Sequence, residues 1–312
     1  MSALPVFVLT GPTGVGKSDW AIRLARQAPV EIVSVDSALV YRGLDIGAAK
    51  PARSIRAEIP HHLVDICEPT ESYSAGRFVT DAISRIAQIH AQRRVPLLVG
   101  GTMLYIRALV HGLAPLPQAS VELRTQLDER AAREGWPALH TELLRLDPQA
   151  AARIAPNDSQ RIQRALEVCY ATGRPISELQ RATVSPLAGV PLKYWALAPS
   201  QRSVLHERLS ERFRAMLAAG FLEEVKGLHQ RGDLTARHPA MRSVGYRQLW
   251  AHLDGEYGEK EAEQRGIFAT RQLAKRQLTW LRAEKTVQWL DCESDESSWN
   301  RDVRHVLSEL GL

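Results

Sequence analysis

Eight residues, Gly11-Pro12-Thr13-Gly14-Val15-Gly16-Lys17-Ser18, have the types and spacing of a phosphate-binding loop, G-x-x-x-x-G-K-S. The glycines let backbone N–H groups turn inward around a polyphosphate, and the N-terminus of a following helix adds positive potential. Lys17 supplies a point charge for the outer phosphate oxygens, and Ser18 a hydroxyl for Mg²⁺. Taken alone, the loop leaves open which phosphorylated molecule is held and whether phosphorus is attacked.

Asp36 closes the apolar run Val33-Ser34-Val35. An acid at the carboxyl end of a parallel strand lies on the ligand face of an α/β sheet. Beside the phosphate loop of the first strand, Asp36 could hold Mg²⁺ through water or act as a general base; elsewhere it would simply cap a turn. The run Pro96-Leu97-Leu98-Val99 ends differently, in Gly100-Gly101-Thr102. A nucleotide hydrolase usually carries an acid there, which organises Mg²⁺ and water. Asp36 and Asp65 remain the only acids ending candidate strands of this block, so ordinary nucleotide hydrolysis is disfavoured. The two glycines permit close backbone approach and Thr102 offers a hydroxyl, although the three would also serve as a turn and helix N-cap.

Basic constellations follow downstream. Asn157-Asp158-Ser159 is a helix start, and Arg161 and Arg164 beyond it share one face. Arg208 and Arg212 lie one helical turn apart. Arg271, Lys275, Arg276 and Arg282 fall on one predicted helix with Trp280, which is expected in the core rather than as a base-stacking platform. Each charged face alone reads as solvated; with a pI near 9.2 and a net charge of +5 they fit an RNA partner. The segment Met241-Arg242-Ser243-Val244-Gly245-Tyr246-Arg247 has too little apolar periodicity for a core element and reads as a connection.

These residues need elements to hold them. Short β-branched runs at 6–9, 31–35, 63–66 and 95–99 alternate with helical patterns at 17–26 and 75–93, which predicts a parallel α/β sheet. Residues 38–60 read as a long loop on the ligand side of the sheet. Pro115-Leu-Pro117 marks a boundary, and residues 121–181 are helical throughout, broken by Gly135, Pro137, Pro148, Pro156 and Gly173. Residues 192–197 return to the sheet, followed by helices at 200–219, 221–230 and 261–282, a last strand at 287–290 and a helix at 303–310. The expected architecture is a P-loop-type parallel sheet flanked by helices, with an inserted all-helical lobe. Its parts are residues 1–117 (core, first part), 118–185 (lobe) and 186–312 (return to the core).

Composition bounds the alternatives. At 312 residues, 45% hydrophobic and 24% charged, the chain is an ordinary globular protein with a sizeable core. No apolar run reaches membrane-spanning length and no basic–apolar leader precedes the loop, so a cytoplasmic location is expected. Three scattered cysteines, Cys67, Cys169 and Cys292, have no zinc-type spacing and read as reduced thiols.

Six segments together resemble the bacterial tRNA dimethylallyltransferase (tRNA isopentenyltransferase) family. They are GPTGVGKS (11–18), SVDSALVYRGLDIGAAKP (34–51), GGTMLY (100–105), PNDSQRIQRALEV (156–168), RSVGYRQ (242–248) and TRQLAKRQLTWLR (270–282). The resemblance implies transfer of a dimethylallyl group from its diphosphate to the N6 amine of adenine-37, immediately 3′ of the anticodon. On that reading Gly11–Ser18 would cradle the departing diphosphate with Mg²⁺ at Ser18, and carbon rather than phosphorus would be attacked. Asp36 matches the family's general base, while Thr13 and Arg212 match residues that engage the diphosphate. By similarity Asp36, Ser37, Ala38 and Leu39, Thr102, then Gln160, Arg161, Ile162, Gln163 and Arg164, and Arg242, Ser243, Val244, Gly245, Tyr246 and Arg247 face the tRNA. The anticodon loop would be gripped between core and lobe while the adenine leaves its stack. The enzyme implied is a compact monomer without the zinc finger of some relatives. A small-metabolite kinase, a P-loop RNA-binding module without bond-making chemistry and a soluble adenylate prenyltransferase are the competing readings.

Overall fold

The computed structural model describes residues 5–117, 120–181, 183–292 and 296–309. Among them, six strands form one sheet: β1 (Val6–Thr10), β2 (Val30–Val35), β3 (His61–His62), β4 (Val95–Gly100), β5 (Leu192–Ala198) and β6 (Gln288–Asp291). All pairs are parallel and the order is β3-β2-β4-β1-β5-β6. The helices run α1 (Lys17–Ala25), α2 (Arg53–Glu58), α3 (Ala75–Ala91) and α4 (Met103–His111), then α5 (Val121–Glu134), α6 (Trp136–Leu146), α7 (Pro148–Ala151), α8 (Ser159–Thr172) and α9 (Ile176–Leu179). They continue as α10 (Arg202–Ala218), α11 (Phe221–His229), α12 (Tyr246–Leu253), α13 (Glu259–Ala283) and α14 (Glu296–Glu309).

The chain divides into two compact units, one of residues 1–108 and 189–312 and one of residues 109–188. In the first, β1, β2 and β4 are buried along their whole length, as expected of strands covered on both faces. Phe7 of β1 stacks on Trp195 of β5 with ring centroids 4.8 Å apart. Leu9, Leu97, Leu24 and Leu209 close the same core, each fully buried and worth about 1.5–3 kcal/mol.

The second unit has its own core of Leu127, Leu139, Leu143, Ile162, Leu166 and Ile176. Buried Asp147 accepts N–H bonds from Ala150 (2.9 Å) and Ser177 (2.8 Å) and the Ser177 hydroxyl (2.7 Å), fastening α7 to α9. Asp158 caps α8 by accepting the Arg161 N–H at 3.2 Å, and Gly173 ends it with φ of 67°.

The structure revises four sequence readings. Residues 63–66 are not a strand. Leu63 and Asp65 take left-handed φ of 61° and 57°, and the N–H groups of Asp65 and Ile66 bond to Leu39 and Val40 carbonyls instead of a sheet. Asp65 is therefore not a strand-end acid: its carboxylate is gripped by Lys50 (2.5 Å) and Arg56 (2.7 Å), which anchor the loop after β2. That loop contains the short helix α2, which buries no residue and so left no apolar pattern. The segment 241–247 contributes to the core through Met241 and Tyr246, which are fully buried, while Arg242 and Arg247 stay exposed. Its contacts are made by single residues at a 3₁₀ turn, Pro239–Arg242, and at a helix start, where no period can develop. Finally, β4 separates β2 from β1, so Asp36 lies two strands from the phosphate loop rather than beside it.

Candidate active site at the carboxyl edge of the sheet

Residues 11–16 leave β1 and enter α1 as the sequence predicts. Gly16, at φ of 84°, caps α1 without any side-chain acceptor, so the helix N-terminus stays open to an anion. The loop is shaped by close packing. A Cβ on Gly11 (φ 145°) would stand 2.4 Å from the Leu197 carbonyl oxygen of β5, and one on Gly14 (φ 83°) 2.7 Å from Leu209 of α10. Lys17 folds back to donate to the carbonyls of Gly11 (3.0 Å) and Pro12 (2.8 Å). Ser18 stands exposed in the first turn of α1.

Burial lowers the Lys17 pKa to about 8. The Arg212 cation adds to the shift, and the Asp36 carboxylate opposes it. Arg212, exposed on α10, has its own pKa lowered by crowding among protein atoms, offset by Asp19 and Asp36. Lys17, Arg212 and Asp36 thus form one electrostatic group. Lys17 carries its charge below about pH 8 and loses it above. Lys17's contribution to the affinity for inorganic diphosphate, read as the ratio of wild type to Lys17→Ala so that the ligand's own ionisation cancels, is accordingly expected to be flat from about pH 6.5 to 7.5. Each further pH unit above the Lys17 pKa then weakens that contribution by up to about tenfold. Titration calorimetry of both proteins across that range measures this; a wild-type advantage that rises with pH contradicts it.

Asp36 stands at the end of β2. Its Oδ1 accepts the N–H groups of Ala38 (2.8 Å) and Leu39 (3.3 Å), and among the described residues Oδ2 has no hydrogen-bond donor. The carboxylate is thereby oriented with one oxygen left for a substrate. Thr102, beyond β4, accepts the Ser37 N–H at 3.0 Å and reaches the Ser37 hydroxyl at 3.4 Å, tying the two strand ends. Between them Gly100 has no room for a side chain, since a Cβ would stand 2.0 Å from the Val35 carbonyl oxygen.

Two residues that hold this site escaped the sequence reading. Gln277 of α13 accepts the Thr13 N–H (2.8 Å) and donates to the Gly101 carbonyl (2.8 Å). Glu224 of α11 accepts the N–H groups of Asp45 (3.0 Å), Ile46 (2.6 Å) and Gly47 (3.2 Å) and the Tyr246 hydroxyl (2.6 Å). The available signal was a polar residue on an apolar stripe: Gln277 between Ala274 and Leu281, Glu224 beside Phe221 and Val225.

The residues matched to tRNA contacts divide by exposure. Ser37, Gln160, Arg161, Arg242 and Arg247 are exposed, and Thr102, Ser243 and Val244 half-buried. The side chains of Ile162 and Tyr246 are in the two cores, so neither can touch RNA directly; each sits on the inward face of its helix. Gly245, at φ of 90°, is packed against Phe221, 2.8 Å from where a Cβ would be. Gln163 bonds Asp128 (2.8 Å), and Arg164 bonds the Pro117 carbonyl (3.0 Å) and buried Glu167, so both brace their own unit. Arg161 pairs with Asp158 but stays exposed.

On α13, Arg271 is tied to Ser210 of α10 at 2.8 Å, whereas Lys275, Arg276 and Arg282 are exposed. Trp280, expected in the core, is 40% exposed with the Arg107 guanidinium 5.7 Å from its ring. It faces outward because Ala274, Gln277 and Leu281 occupy the buried stripe.

A phosphate loop, a strand-end carboxylate with one free oxygen, and a glycine pair where a hydrolase would place its acid define a P-loop-type group-transfer protein. The IPP transferase family model matches residues 39–284, and the isopentenyl transferase model residues 4–59. A tRNA dimethylallyltransferase of Alkalilimnicola ehrlichii is 56% identical over 305 residues, covering 97% of this chain and 96% of its own. One from Methylococcus capsulatus is 57% identical over 288 residues, covering 92% of each. Among solved structures, the full-length tRNA isopentenylpyrophosphate transferase of Bacillus halodurans is 34% identical, with a TM-score of 0.72 over 98% of this chain and 97% of its own. A eukaryotic dimethylallyltransferase acting on tRNA is 27% identical, with a TM-score of 0.79 over 98% of this chain and 78% of its own. The chain belongs to the IPP transferase family. Its reaction class is prenyl transfer, in agreement with the sequence resemblance.

Proposed function

We propose that this chain transfers the dimethylallyl group of dimethylallyl diphosphate to the N6 amine of the adenine immediately 3′ of a tRNA anticodon, releasing diphosphate. The observation that carries the reading is Asp36 on the same sheet edge as the phosphate loop, with Oδ2 uncommitted. The adenine amine is a weak nucleophile because its lone pair is delocalised. As it attacks the donor's C1, the C1–O bond breaks, the diphosphate leaves with the electron pair, and the amine proton passes to Asp36. Lys17, the open N-terminus of α1, the loop residues 11–18 with Thr13, and Arg212 stabilise the charge growing on the leaving group.

Ser18 is the protein ligand for Mg²⁺ in this reading. Mg²⁺ typically takes one or two protein ligands and completes its shell with phosphate oxygens and water. That suits an exposed hydroxyl at the loop, in a chain whose described residues hold no cluster of three metal-ligating side chains. When bound, Mg²⁺ supplies further positive charge to the departing diphosphate.

In the first unit the exposed Arg242 and Arg247, with Lys275, Arg276, Arg282 and Trp280, supply cations and a ring for tRNA, and in the helical unit the exposed Gln160 and Arg161 of α8 supply an amide and a cation. Ser37, Ala38, Leu39 and Thr102 line the entry of the base. The protein works as a monomer in the cytoplasm; no helix among the described residues is long and apolar enough to cross a membrane.

Incubation with unmodified tRNA, Mg²⁺ and dimethylallyl diphosphate is expected to add one dimethylallyl group per tRNA, read by nucleoside mass spectrometry. Phosphorylated product from ATP instead would favour a kinase, and salt-dependent RNA binding without product an RNA-binding module.

A further inference from the structure

The geometry points to Gln277 as a positioning residue for the transfer, one amide that sets the phosphate-binding lysine and the acceptor-side strand end at once; this rests on the prenyl-transfer reading above. Gln277 is 7% exposed and uses both ends of its side chain. Its Oε1 accepts the Thr13 N–H at 2.8 Å, and its Nε2 donates to the Gly101 carbonyl at 2.8 Å.

The first bond acts through a rigid plate. The N–H of Thr13 and the C=O of Pro12 belong to one planar trans peptide and point in opposite directions. Gln277 holds the N–H end, and the C=O end accepts from Lys17 Nζ at 2.8 Å. The Thr13 N–H is thus turned away from the phosphate cradle, and the peptide it belongs to aims Lys17. The second bond fixes the Gly101–Thr102 turn, whose Thr102 hydroxyl accepts the Ser37 N–H next to Asp36. Gly101 fits this role, because a Cβ there would stand 2.4 Å from Gln277 Nε2. Gln277 therefore touches neither substrate but couples the donor cradle to the base across β4.

A glutamine is required because the site needs one acceptor and one donor at fixed spacing. Gln277→Glu keeps the acceptor for Thr13 and sets a carboxylate oxygen against the Gly101 carbonyl; Gln277→Met keeps the shape and loses both bonds. Each variant is assayed after its folded fraction has been measured by thermal unfolding. Both are expected to lower kcat/KM for dimethylallyl diphosphate about 10–100-fold per folded enzyme, while the tRNA dissociation constant changes less than twofold. Gly101→Ala, which displaces the amide without altering it, is expected to do the same and keeps the test open if a Gln277 variant fails to fold. Values within twofold of wild type in any folded member of this set overturn the proposal, because a purely structural amide would change only the melting temperature. Wild-type protein that makes no prenylated tRNA overturns the functional reading instead, so the two failures are distinct.

Discussion

Asp36→Asn is expected to lower single-turnover prenylation about 10²–10⁴-fold, the usual range of a general base, while tRNA affinity stays within twofold. Asparagine is the sharper replacement because its Oδ1 can still accept from Ala38 and Leu39, preserving the turn at the end of β2. What it loses is the basicity of the second oxygen. Asp36→Ala is expected to match it in rate, with a small added loss of loop order. Rapid-quench assays with saturating donor and tRNA read the chemical step directly, and unchanged turnover in Asp36→Asn would remove Asp36 as the base. Retained tRNA binding follows from where the cations are: Arg161, Arg242, Arg247 and the exposed face of α13 are untouched.

Glu224→Ala is expected to lower stability by roughly 2–4 kcal/mol, measured by urea unfolding. Four donors converge on this carboxylate: Oε2 serves the Asp45 and Ile46 N–H groups, and Oε1 the Gly47 N–H and the Tyr246 hydroxyl. Tyr246 is fully buried, so its hydroxyl has no water to turn to. Glu224→Gln is expected to recover less than half of the loss, because an amide offers one acceptor oxygen where two are needed. Donor KM is expected to rise with the same variants, since residues 45–47 continue the loop that Asp36 begins. Full stability of Glu224→Gln would show that water replaces the carboxylate at residues 45–47.

The sheet and its helices were readable wherever burial imposes a period. The strands at 6–9, 31–35, 95–99 and 192–197 and the helix pattern at 75–93 fall within one to two residues of β1, β2, β4, β5 and α3. The phosphate loop was readable because chemistry fixes its spacing. The parts that hold the site were not, because single polar side chains anchor them: Glu224 on residues 45–47, Lys50 and Arg56 on Asp65, Gln277 on Thr13. Such bonds join single residues from 9 to 264 positions apart and leave no repeat. Strand order was equally hidden. The chain does not announce that β4 intervenes between β1 and β2, and so it does not show that Gly100 must be bare to let Val35 pass. Trp280 and Tyr246 exchanged expected places: Trp280 reads as core until its neighbours on α13 are known, and Tyr246 reads as part of a connection because no apolar period surrounds it.

The sheet order also has a consequence in time. β1 pairs with β4 on one side and with β5 on the other, Val6 standing opposite Leu192, and Gly11 takes its shape against Leu197. At about 5–20 residues per second, the ribosome needs roughly 10–40 s to travel from Val6 to Leu192. Throughout that interval the β5-facing side of β1 is a bare apolar edge, open to pairing with a neighbouring chain. The phosphate loop, complete in sequence from the first moments of synthesis, acquires its form only when the chain returns. A nascent enzyme therefore cannot capture a diphosphate before most of its length has been made.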